Sequence, residues 1–110
     1  WSVDNVSSMG YMFYDASVFN QNLGGWNVSR VTNMNYMFSY ASRFDQSLCH
    51  WFDSLSGNVP YVYGIFLNSG CSIRIQPDFV TTEFFCQRCR PYIEGGGKFF
   101  SLNLFFSPWR

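Results

Sequence analysis

The sequence has 110 residues, which is enough for one domain with a modest core. Its seven basic and seven acidic side chains cancel and only 13% of residues are charged, which argues against a nucleic-acid-binding surface. No run of about 18 apolar residues occurs, so we expect no transmembrane segment.

Residues 1–25 and 26–50 are two copies of one sequence, identical at twelve aligned positions. The shared residues are mostly apolar and in the first copy are Trp1, Val3, Val6, Met9, Tyr11, Met12, Phe13, Ala16, Ser17, Phe19, Gln21 and Leu23. Self-similarity at a fixed period is typical of repeat proteins, in which each unit buries its apolar face against the next. We therefore expect repeats over 1–70, the last of them a degenerate copy at 51–70, and a cap or tail over 71–110. The natural partners of such units are neighbouring repeats of a longer parent chain.

Within one repeat, two patterns predict regular structure. Met34, Met37, Phe38 and Ala41 have the i, i+3, i+4, i+7 spacing of one helix face. Residues 26–28 alternate between apolar and polar, as a short strand does. Alignment of the third copy at the same period places Val59, Val62 and Tyr63 in the positions of Met34, Met37 and Phe38. The sequence thus predicts one strand and one short helix per repeat, with the strands stacked in parallel.

The shared motif is W-x-V-x-x-V-x-x-M-x-x-M-F-x-x-A-x-x-F-x-Q-x-L, and it runs from Trp1 to about Trp51. It resembles the repeat of BspA-like leucine-rich-repeat surface proteins, in the Trp/Met-Phe variety seen in mycoplasma surface lipoproteins and in bacteria, protists and algae. The resemblance implies an α/β fold: a leucine-rich-repeat-like right-handed solenoid with short parallel strands, short helices and about 25 residues per coil. An irregular cap rich in Cys and Phe would follow. It also implies non-enzymatic adhesion or protein binding at a cell surface or outside the cell.

Four cysteines, Cys49, Cys71, Cys86 and Cys89, lie at or after the end of the second repeat. In a secreted chain they would form two disulfides that close the end of the repeats. In a reducing compartment, Cys86 and Cys89 would supply half of a zinc site, with Cys49 and either His50 or Cys71 as further ligands. A redox pair and free thiols are the other possibilities. We expect disulfides and no cofactor or metal, with an intracellular zinc-stabilised interaction module as the alternative.

Nothing in the sequence predicts an active site. His50 is the only histidine, and its neighbour Cys49 would point to the opposite face of a strand. The glycines at 95–97 precede Lys98 without the spacing of a phosphate-binding loop, so they are interpreted as a hinge. We therefore expect a binding module rather than an enzyme.

A protein or cell-surface ligand would bind to the outward face of the strands. If the tryptophans point inward, Asn27, His50 and Phe52 form a recognition patch there, although Phe52 is equally well placed to lie under an aromatic cap. Asn5 and Asn27 begin N-glycosylation triplets, which the composition of the repeat also explains. The Phe-rich segment 98–110 is either a cap strand or an exposed tail that binds a partner.

Overall fold

The structure, a computed structural model, describes residues 2–81 and 83–89. In this part of the chain the regular elements are helix α1 (His50–Leu55) and two short antiparallel strands, β1 (Phe84–Phe85) and β2 (Gln87–Arg88). No helix among these residues is both long and apolar enough to cross a bilayer. The predicted inward position of Trp1, the hinge at 95–97 and the cap strand at 98–110 lie outside the described residues.

Backbone N–H groups in the repeats alternate between two kinds of acceptor. In the first repeat, every second N–H donates to the next repeat at N···O distances of 2.8–3.0 Å: Met9 to Asn33, Tyr11 to Asn35, Phe13 to Met37 and Asp15 to Ser39. The intervening N–H groups donate to the carbonyl three residues earlier: Met12 to Met9, Tyr14 to Tyr11 and Ala16 to Phe13. The second repeat makes the same bonds to the third: Met34 to Tyr61, Tyr36 to Tyr63, Phe38 to Ile65 and Tyr40 to Leu67. Consecutive turns, joined side by side, are the result.

The predicted α/β leucine-rich-repeat-like solenoid of parallel strands and short helices is wrong. No helix runs through 34–41, because Tyr36 and Tyr40 have left-handed backbone angles, φ 57° and 61°, that an α-helix cannot contain. No strand forms at 26–28 either, where the N–H of Trp26 closes a turn on the carbonyl of Leu23. Parallel pairing between repeats is limited to isolated bridges, Ser8 with Asn33 and Asn33 with Tyr61.

The third repeat is three residues longer than the sequence alignment assumes. Ser8 bridges Asn33 at an offset of 25 residues, whereas Asn33 bridges Tyr61 at an offset of 28. The longer connection contains helix α1, which ends at Ser56 in a left-handed conformation. The positions of Met34, Met37, Phe38 and Ala41 are therefore occupied by Val62, Ile65, Phe66 and Ser69. The alignment of Val59 and Tyr63 with the core was wrong, since these side chains are 67% and 64% exposed.

Phenylalanine rings from successive repeats stack to make the centre of the core. Phe38 is fully buried, and its ring centroid lies 5.4 Å from that of Phe13 and 5.9 Å from that of Phe66. Phe44 contacts Phe38 at 4.1 Å and Phe19 at 5.9 Å in the same nearly parallel manner. Phe13 and Phe19, in the first repeat, stay partly exposed because the second repeat covers only one side of them. The repeat of Phe at a fixed period thus has a direct packing purpose.

Two disulfides fasten the C-terminal segment to the repeats, as expected for these four cysteines. Cys49 pairs with Cys89 and Cys71 pairs with Cys86, which closes loops of 40 and 15 residues in sequence separation. Cys86 forms the tip between β1 and β2 with a left-handed φ of 70°. Phe85 of β1 is thereby held in the core. Closing such loops stabilises the fold chiefly by restricting the unfolded chain.

Candidate functional site: a tyrosine surface

The three residues predicted to bind a ligand have different environments. The ring of Phe52 packs against Phe79 and Phe85 at 5.6 and 5.1 Å, under the C-terminal segment. Asn27 is exposed, and its Oδ1 accepts hydrogen bonds from the Ser29 N–H and the Ser54 hydroxyl. His50 is exposed at the first residue of α1 and lines a polar cleft. Within the described residues no hydrogen bond or ring contact joins these three side chains, and their role in binding stays a prediction.

The predicted modification and metal sites can also be placed. Asn5 and Asn27, which begin the glycosylation triplets, are both exposed. All four cysteines are disulfide-bonded. In the segments 2–81 and 83–89, no group of three or more His, Cys, Asp and Glu side chains is arranged to hold a metal ion. A zinc site would therefore require the same cysteines in their reduced form.

Five tyrosine rings form one connected array on the outside of the repeats, which we call the tyrosine surface. In order of contact they are Tyr40, Tyr14, Tyr11, Tyr36 and Tyr63, with centroid separations of 5.7, 5.3, 5.1 and 5.7 Å. Four of the rings are exposed, by fractions from 42% to 64%, and Tyr36 in the middle is partly buried. All three repeats contribute to this surface.

Three of the five tyrosines are held in a backbone conformation that disfavours them. Tyr11, Tyr36 and Tyr40 have φ values of 61°, 57° and 61°. For an L-residue this left-handed region costs about 1–2 kcal/mol relative to the right-handed one, and glycine and asparagine tolerate it best. The third repeat has those two residue types at the equivalent positions, Gly64 at φ 62° and Asn68 at φ 55°. The turns therefore form without tyrosine, and the strain at the tyrosines points to a role beyond folding.

Tyr36 is the structural centre of the array. A Cβ atom at Gly64 would lie 2.5 Å from the Cε1 atom of Tyr36, so glycine there leaves room for the ring. Burial, and to a smaller extent the phenols of Tyr63, Tyr11 and Tyr14, raises the pKa of Tyr36 above its ordinary value of 10.0. The Tyr36 phenol is thus uncharged at neutral pH and both donates and accepts hydrogen bonds.

The residues around the rings are almost without charge. Segments 8–16, 33–41 and 61–68 contain one charged residue, Asp15. Asn33 and Asn35 lie between the rings of neighbouring repeats, and the Asn35 side chain accepts a hydrogen bond from the Tyr63 N–H at 2.8 Å. Tyrosine with Asn, Ser and Gly is the composition of antibody paratopes, where rings supply rigid contact area and small polar groups adapt.

Sequence reasoning missed this surface. Tyr11 and Tyr36 were visible as a matched pair at the repeat period, but the same period also marks core positions. The signal that separates them is the third repeat, where core positions keep apolar residues and the Tyr36 position becomes Gly64. Reading that signal requires the offset of 28 residues, which only the structure reveals.

A second polar cluster, away from the tyrosines, fixes the corner of the repeats. Asn20 accepts a hydrogen bond from the Asp45 N–H, and Gln46 donates to Asn20. Asp45 in turn accepts from the N–H and hydroxyl of Ser72 and from the Gln87 amide. Partial burial works against ionisation of Asp45, but the hydrogen bonds from Ser72 and Gln87 outweigh it and lower the pKa of the carboxyl below its ordinary value of 3.8. This cluster is structural and joins successive repeats to the C-terminal segment.

Comparison with known proteins assigns the chain to a family through its repeats. No similarity to a curated protein or to a solved structure was found. Residues 1–68, which include the longer third repeat, match the family described as Mycoplasma protein of unknown function, DUF285. Since the match spans more than half of the chain, the protein belongs to this mycoplasma-type repeat family.

Proposed function

We propose that this protein is a non-enzymatic, protein-binding repeat module of the cell surface or of a secreted protein, and that the tyrosine surface is its binding face. The observation that carries the proposal is the connected array of five exposed or partly exposed tyrosines, three of them on strained backbone. Tyrosine is enriched among the residues that dominate the binding energy of protein interfaces, because its ring offers a large contact area and its hydroxyl a hydrogen bond.

Three further features support placement outside the cell. Disulfides form and persist in oxidising environments and are rare in the reducing cytosol. The two disulfides of this chain are therefore consistent with a secreted or surface-exposed protein. The mycoplasma-type family and the resemblance of the repeat to BspA-like surface proteins support the same placement.

Binding of fluorescently labelled protein to cultured animal cells tests the proposal. The variant Tyr14→Ser/Tyr63→Ser removes two exposed rings whose backbone is not discussed as strained, so it should fold normally. The control Ile75→Ser/Val80→Ser removes two exposed apolar side chains, 66% and 89% accessible, outside the tyrosine surface. We expect binding to fall about ten-fold or more in the tyrosine variant and to be unchanged in the control.

Pretreating the cells with trypsin distinguishes the class of ligand. A protein ligand predicts that the treatment abolishes binding by the unmodified module. If the tyrosine variant binds as well as the unmodified protein, while both are folded by circular dichroism, the tyrosine surface is not the binding face.

The alternative, an intracellular zinc-stabilised interaction module, is separated by the state of the cysteines. Intact-mass measurement before and after alkylation, on material made in a secretory and in a cytosolic host, reports that state. Resistance to alkylation with the loss of four thiol hydrogens supports the surface module. A zinc ion retained on reduced, folded protein would instead favour the intracellular module.

A further inference from the structure

A polar cleft of about 410 Å³ opens at the junction of the second repeat, helix α1 and strand β2. It is lined by Asn22, Gly24, Gly25, Gln46, Ser47, His50 and Gln87. None of these residues carries a carboxylate, an ammonium or a guanidinium group. The volume falls in the lower part of the range found for small-molecule sites, about 300–1,000 Å³.

Three amide side chains in the cleft are each held in one orientation by a bond at one end. The Nε2 of Gln46 donates to Asn20 Oδ1 at 2.9 Å, and the Nε2 of Gln87 donates to Asp45 Oδ1 at 3.1 Å. Because both partners are acceptors, the amide nitrogen must face them. The Oδ1 of Asn22 accepts from the Gly24 N–H at 2.8 Å, which fixes that amide in the opposite sense.

The other ends of these amides have no hydrogen-bond partner among the residues that the structure describes. Gln46 and Gln87 thus present Oε1 acceptors, and Asn22 presents an Nδ2 donor. Ser47 adds a hydroxyl, and His50 adds an imidazole that can donate or accept. A cleft with fixed donors and acceptors and no ionic groups favours a neutral ligand whose own groups both donate and accept.

We infer that this cleft binds a neutral carbohydrate. Sugar hydroxyls donate to the Gln46 and Gln87 oxygens and accept from the Asn22 amide and the Ser47 hydroxyl. An anionic or cationic ligand would lose hydration without gaining an opposite charge, and an apolar one would leave the amides unpaired. The cleft shares no residue with the tyrosine surface, so this inference is independent of the proposed protein-binding role.

Gly25 provides a variant that fills the cleft without disturbing the fold. A Cβ atom at Gly25 would meet no atom within 4 Å, and its φ is not in the left-handed region. Gly25→Leu therefore adds bulk to the cleft wall. Val80→Leu, at a site that is 89% exposed and not part of the cleft wall, is the matched control.

The test is an NMR titration of ¹⁵N-labelled protein with glucose, galactose, mannose and N-acetylglucosamine, each compared with the charged sugars glucuronic acid and glucosamine. We expect at least one neutral sugar to shift the side-chain amide signals of Gln46 and Gln87 saturably, with a dissociation constant on the order of 1 mM. Gly25→Leu should weaken this binding about ten-fold or more, and Val80→Leu should leave it unchanged.

Several results would overturn the inference. One is the absence of saturable shifts with every neutral sugar up to about 100 mM, which would place any affinity below a useful range. Another is equal or tighter binding of glucuronic acid or glucosamine, a comparison that needs no variant. The third is unchanged binding by a Gly25→Leu protein whose spectrum shows it to be folded. None of these results bears on cell binding by the tyrosine surface.

Discussion

Truncation of equivalent phenylalanines in the first and second repeats should have very different costs. Phe38 is fully buried, with ring neighbours on both sides, Phe13 and Phe66. Phe13 occupies the same position one repeat earlier and is covered on one side only, so it stays partly exposed. The two residues have the same chemistry and the same place in their turns, and they differ in how much of the ring is covered.

The magnitudes follow from the burial. Replacing a fully buried Phe by Ala costs about 3–5 kcal/mol, so we expect this for Phe38→Ala. For Phe13→Ala we expect roughly half, because less apolar surface leaves water on folding and less of a cavity forms. A difference of about 2 kcal/mol corresponds to roughly 10 °C in melting temperature for a domain of this size.

Urea denaturation under non-reducing conditions, followed by circular dichroism, measures both costs. Phe38→Leu and Phe13→Leu repeat the comparison with milder changes, since Phe38→Ala alone removes a large share of the usual 5–15 kcal/mol of stability. Equal free energies of unfolding for the two alanine variants, within about 0.5 kcal/mol, would refute the packing argument.

Further predictions concern the register, the disulfides and the corner of the repeats. Phe66→Ala should cost about 3–5 kcal/mol in urea denaturation and Tyr63→Ala about 1 kcal/mol or less; the reverse order would restore the 25-residue alignment of the third repeat. Removal of either disulfide by paired Cys→Ser changes, Cys49 with Cys89 or Cys71 with Cys86, should lower the free energy of unfolding by about 3–4 kcal/mol, and an unchanged urea midpoint would contradict this. The lowered pKa of Asp45 means that its stabilisation is present above the unfolded value, near 3.8, and is lost as the pH falls through the folded value. Melting temperatures of the unmodified protein and Asp45→Asn should therefore converge as the pH is lowered from about 6 to about 3, whereas a constant gap would contradict the assignment.

The sequence predicted the repeats and much of the core but not the backbone path. Met34, Met37, Phe38 and Ala41 are all fully buried, as their spacing indicated. Their helix is absent because a series of turns, each closing three residues back, returns side chains to one face at nearly the same period. Side-chain spacing reports which residues face the core, whereas the alternation of N–H acceptors depends on the neighbouring repeat.

Prediction of the binding residues was limited by geometry that one sequence does not contain. Phe52 was expected either in a recognition patch or under a cap, and only the position of Phe85 distinguishes these sites. The cysteines could be counted and their oxidation anticipated, but their pairing depends on the hairpin that places Cys86 beside Cys71. The tyrosine surface depends on turns with left-handed residues, which the amino-acid types at those positions conceal.

The alternating bonds between repeats give the array an electrical direction. All eight run from an N–H of the earlier repeat to a carbonyl of the later one, so the peptide dipoles along them point the same way. The carbonyls of Ser8, Gly10, Met12 and Tyr14 at the outer edge of the first repeat accept no hydrogen bond from the described residues. Two copies related by a two-fold axis through this edge would oppose acceptor to acceptor. Backbone pairing there consequently requires a partner edge of opposite polarity, which a closed symmetric dimer does not provide.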